Sequence, residues 1–141
     1  TQKVVEVLAA TKPRLFRAPR TAYNEELLRA LHAAGIDYAK GLERFMGNEA
    51  LYLEFLSKFL YDGSFQEFWA GIEMGDISMA EKAIDTLKGT AANLSLVKLS
   101  ALADAIGKEL RSGKEVEEIR PLIYEVREIH EKVCDAIRQN G

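Results

Sequence analysis

The chain has 141 residues, 48% of them hydrophobic and 29% charged, enough for one domain with its own core and too few for two. A net charge of -3, from 19 basic and 22 acidic residues, argues against a nucleic-acid partner, because phosphate-backbone binding needs a concentrated positive surface. Cys134 is the only cysteine, so no internal disulfide forms, and no apolar run approaches the roughly 20 residues of a spanning helix; the expectation is a cytoplasmic protein with no membrane partner.

Taken in chain order, nearly every stretch carries the spacing of a helix. Gln2 to Ala10 is expected to form a short first helix, followed by an extended connection through Pro13 and Pro19, since each proline restricts the residue before it. Lys12, Arg14, Arg17 and Arg20 make this connection basic, with no acid between Glu6 and Glu25. Residues 1–21 are thus read as an N-terminal helix and basic linker, and 22–141 as a helical domain. A helix is predicted from Ala22 to His32, closed by a left-handed Gly35, and a short one from Asp37 to Phe45.

Asn48 is a good N-cap for a long helix with Leu53, Leu56, Phe59 and Leu60 on its buried side, which Asp62-Gly63-Ser64 kinks or interrupts. Phe65, Phe68, Trp69 and Ile72 carry the apolar face onward to Gly75-Asp76, where one helix ends and another begins. Ala80, Ala83, Ile84, Leu87, Ala91 and Leu94 then recur at steps of three and four, as do Leu99, Leu102, Ala103, Ile106 and Leu110. A last helix starts near Lys114 or Glu115 and carries Val116, Ile119, Ile123, Val126, Val133 and Ile137, with Pro121 as its one local defect. Striped helices with short joints predict an all-α antiparallel four-helix bundle over 48–139, with the extra N-terminal helices packed across one end.

On the Ile77 to Leu94 helix, Glu81, Asp85, Lys88 and Ala92 form a ridge away from the apolar stripe, so Asp85 is expected exposed, with Lys88 in reach as an i,i+3 partner. Gly89 lies one turn after Asp85. A glycine inside a helix costs up to about 1 kcal/mol relative to alanine, which points to a requirement for close approach at this surface.

Several motifs resemble the histidine-containing phosphotransfer (HPt) domain, the four-helix bundle that passes phosphoryl groups between receiver domains in phosphorelays. Ile36-Asp37, Gly41-Leu42, Arg44-Phe45 and Met46-Gly47-Asn48-Glu49 are similar to its opening segment. Leu56, Phe59, Ile72 and Met74-Gly75-Asp76 are similar to its second helix and turn. The core signature is a histidine followed three residues later by lysine and four later by glycine. Thr86-Leu87-Lys88-Gly89 with Ala91-Ala92-Asn93-Leu94 resembles that run, with Asp85 where the family has its phosphoacceptor histidine and Ser95 where many members have glycine.

The resemblance implies a degenerate member. A carboxylate cannot form the phosphoramidate that makes imidazole a phosphoryl carrier, so the expected function is a non-catalytic module. It would bind a receiver domain or histidine kinase of a two-component system without relaying phosphate. The partner-binding residues would be Asp85, Lys88, Gly89, Glu81 and Ala92, with Phe68 and Trp69 bordering them as an apolar centre.

Other chemistry finds little in the sequence. Glu81 and Asp85 on an open helix make a poor metal site, His130 with Cys134 falls short of a zinc ligand set, and neither catalytic residues, metal nor cofactor are expected. His32 is read as a surface or cap residue and His130 as partly buried. The alternatives are a helical adaptor with an unrelated protein partner, acting through the basic 12–20 segment, and an active phosphotransfer protein using His32 or His130.

Overall fold

The computed structural model describes residues 22–140, and the expected first helix and basic connection lie outside them. The described residues form an all-α helical bundle of α1 (Ala22–Ala33), α2 (Tyr38–Arg44), α3 (Glu49–Phe59), α4 (Ser64–Met74), α5 (Ile77–Asn93), α6 (Val97–Arg111) and α7 (Val116–Asn140).

Local chemistry sets most boundaries. Asp37, Asn48 and Asp76 each accept a hydrogen bond from a first-turn amide, those of Lys40, Leu51 and Met79, each at 3.1 Å, satisfying a donor the helix leaves open. Gly75 ends α4 with φ +75°, a conformation open to glycine at no steric cost. Glu118 reaches back to the Glu115 amide at 3.2 Å, half of a capping box. Pro121 lies within α7. It lies in the second turn with its ring exposed, so it removes the bond that would run to the Glu117 carbonyl, yet α7 continues to Asn140.

Of the two outcomes expected at Asp62-Gly63-Ser64, a kink or an interruption, the chain takes the interruption, giving α3 and α4. Leu60 to Gly63 form a turn, and the Ser64 amide donates to Asp62 Oδ1 at 2.9 Å, so α4 starts afresh at Ser64.

The helices α4, α5, α6 and α7 pack in succession, each against the next, and their short joints reverse the chain each time. On the remaining side, Phe65 of α4 stacks on His130 of α7, centroids 4.4 Å apart. Leu31, Tyr52, Leu56, Phe68, Ile84, Leu87, Leu99, Ile106, Ile123 and Val126 fill the core and exclude water; along α3, Tyr52 is buried with Leu56 and Phe59, whereas Leu53 and Leu60, expected buried, are only partly so. The helices α1 and α3 lie against α7. An isolated antiparallel bridge between Ile36 and Leu96 ties the α1–α2 joint to the α5–α6 joint, with the Asp37 amide donating to Ser95 O at 2.9 Å.

Candidate functional site

Asp85 points to solvent along the groove between α5 and α6, its side chain 51% exposed. Its partner is not Lys88. Arg111, at the end of α6, places Nη1 3.0 Å from Oδ1 and 3.3 Å from Oδ2. Lys88 also crosses the groove, with Nζ 3.4 Å from Asp104 Oδ1, and Lys108 holds the other oxygen of Asp104 at 3.0 Å. The Asp85–Lys88 pair expected from spacing is therefore replaced by two cross-helix pairs, because both side chains find better-placed partners on α6. The Lys108 hydrogen bond, with Lys88 behind it, lowers the Asp104 pKa below the ordinary carboxylate value.

Two glycines shape this groove in different ways. Gly107 is buried beneath the Asp85–Arg111 pair: a Cβ there would sit 3.2 Å from Arg111 Nη1 and 3.3 Å from Asp85 Oδ1, crowding the pair. A Cβ at Gly89 would meet nothing within 4 Å. The side chain missing at Gly89 thus relieves no contact among the described residues. Glu81 and Ala92 are half-buried on the same helix, and Lys88 is 39% exposed.

The aromatic residues do not join this surface. Phe68 is 0% exposed, locked in the core by the α4 stripe, and is corrected from a surface contact to a packing residue. Trp69 turns toward α7, where Arg127 stands over its ring at 5.1 Å. It lines an open groove of about 690 Å³ with Phe65, Arg127, His130 and Arg138, on α4 and α7 and away from Lys88 and Gly89.

His130 Nε2 lies 3.8 Å from Cys134 Sγ in that groove. Burial lowers the His130 pKa and raises that of Cys134, so the neutral ring and the thiol are both favoured and the thiolate nucleophile is not. His32 is exposed in the last turn of α1. Among the described residues, no three His, Cys, Asp or Glu side chains gather as metal ligands, and no helix is long and apolar enough to cross a membrane.

Ser95 closes the α5 joint with φ +60°, buried, in the left-handed region where a non-glycine residue is uncommon. Arg111, Asp104 and Gly107 were not legible as site residues. Asp104, Gly107, Lys108 and Arg111 do mark one polar side of α6 by spacing, but nothing local says that this side meets Asp85. No protein-family model, curated protein or solved structure matches the chain.

Proposed function

We propose that the chain is a degenerate HPt-like module of a two-component system, a bundle that binds a receiver domain or histidine kinase and relays no phosphate. One observation carries this reading. At the position where the resemblance places the phosphoacceptor, an exposed carboxylate is held by Arg111 while Gly89 beside it stays open to solvent. A carboxylate already paired with a guanidinium is a weak nucleophile, and among the described residues no metal-ligand cluster surrounds it to activate phosphoryl transfer. Ser95 adds support: it takes a left-handed conformation where many HPt domains have glycine.

The rival reading, a helical adaptor with an unrelated partner, draws on a different surface. Met46 and Tyr61 are 93% and 88% exposed, with Leu51 and Phe55 partly exposed on α3, apolar side chains that a protein partner would cover.

A binding screen against receiver domains, followed by labelled-phosphate transfer from a phosphorylated receiver, tests the proposal. The expected result is binding without transfer. Gly89→Arg should keep the fold, since helix propensity rises, and weaken the complex by filling the open approach. Acid-labile, base-stable label on His32 or His130 at relay-like rates overturns the non-catalytic reading, and equal affinity of wild type and folded Gly89→Arg moves the interface to the α3 surface.

A further inference from the structure

We infer that Arg111 is the residue that grips an acidic partner surface, and that Asp85 occupies its guanidinium until the partner's carboxylates displace it. The inference rests on the docking face proposed above and assigns its anchor to α6.

The geometry of the pair is that of an exchangeable contact. Both hydrogen bonds to Asp85 come from the single nitrogen Nη1, whereas a strong guanidinium–carboxylate fork uses two nitrogens in parallel. Among the described residues Nε and Nη2 of Arg111 donate no hydrogen bond, which leaves donors for a second carboxylate. Both side chains are about half exposed, 43% for Arg111 and 51% for Asp85, and ion pairs in such settings are weak because water competes for each charge. A partner that covers the groove removes that water and strengthens whichever carboxylate then faces the guanidinium.

The surroundings select the partner's chemistry. Among the described residues, Lys88, Lys108 and Arg111 share the two carboxylates of Asp85 and Asp104, so the cluster keeps cationic donors that no carboxylate fills. Gly89 offers unobstructed space alongside, and Gly107 keeps the floor low enough for the guanidinium to lie across α6. The occupant that fits is a protein surface with clustered carboxylates, such as the ion-holding acidic pocket of a receiver domain. Asp85 is then an internal competitor rather than a contact, and removing its charge should tighten binding.

The test is a set of titrations of wild type, Asp85→Asn, Arg111→Gln and the double variant against the receiver that binds best, with circular dichroism on each protein. Asp85→Asn should bind about two- to fivefold tighter, the range set by the coupling of an exposed ion pair. Arg111→Gln should bind about fivefold weaker or worse, with a reduced salt dependence. In the Arg111→Gln background, Asp85→Asn should give no gain. An equal gain in both backgrounds means that only net charge matters and overturns the inference, as does weaker or unchanged binding by Asp85→Asn. If Gly89→Arg blocks binding while Arg111→Gln binds like wild type, the face stands and the anchor is wrong. No binding by any of the four proteins overturns the docking reading and the inference with it.

Discussion

Replacing Gly71 and Gly89 by alanine, one at a time, should move stability in opposite directions although the chemical change is the same. Both glycines are in helix interiors, so each substitution gains about 0.8–1.0 kcal/mol of helix propensity. At Gly71 the new methyl would sit 2.8 Å from Ala80 N, 3.1 Å from Ala80 Cα and 3.1 Å from Asp76 O. These are backbone atoms, and the Ala80 amide donates to Asp76 O at 3.0 Å in the first turn of α5, so none can rotate aside. The α4–α5 contact must open, an overpacking that costs about 1–3 kcal/mol, with the upper half expected against rigid backbone.

The net effect of Gly71→Ala is then a loss of about 1–2 kcal/mol once propensity is credited. Gly89→Ala meets nothing within 4 Å and should gain about 0.5–1 kcal/mol. The two variants should differ by about 2 kcal/mol, or roughly 6–10 °C in Tm for a domain of this size. Urea and thermal denaturation followed by circular dichroism measure both. A Gly71→Ala protein at least as stable as wild type would refute the close α4–α5 approach. A destabilised Gly89→Ala would mean that its glycine serves the fold, removing the reason to assign it to a partner.

Burial lowers the His130 pKa, so between the folded and unfolded pKa values the unfolded chain binds more protons and stability rises with pH. Stability is therefore expected to be full above about pH 6.5 and to fall as pH drops through the folded-state pKa, with Cys134 at 3.8 Å and the charges of Asp62, Glu131 and Arg138 around the ring. Denaturation at pH 7.5 and 5.0 should show this dependence reduced in His130→Gln, and an unchanged dependence would assign it to other groups. Tyr52 is fully buried, and its hydroxyl donates to Leu94 O at 2.7 Å; burial, with the Asp37 charge, drives its pKa well above the ordinary phenol value. Tyr52→Phe should cost about 1–2 kcal/mol by urea denaturation, and no loss would mean that water replaces the bond.

What the sequence determined alone follows from short-range physics. The stripes on α5, α6 and α7 are apolar at steps of three and four and are buried where expected, save Leu102 and Val116, which are partly buried, because helical period and the need to hide methyl groups act within a few turns. Asn48 and Gly75-Asp76 mark boundaries for the same reason, since a cap satisfies backbone groups only one turn away. The exposure of Asp85 was legible from its place opposite the stripe.

Its partner was not. Lys88 is in reach of Asp85 by spacing, yet an i,i+3 pair contributes only a few tenths of a kcal/mol, too little to hold either side chain against a neighbouring helix. Which cations stand across the groove depends on how α5 and α6 rotate against each other, and that rotation is set by burial of Leu87, Leu99 and Ile106 in the shared core. The same packing sent Phe68 inward and Trp69 toward Arg127 on α7. Arg111 reached Asp85 from 26 residues away, a distance over which no local propensity acts, so only the assembled bundle decides which charges meet.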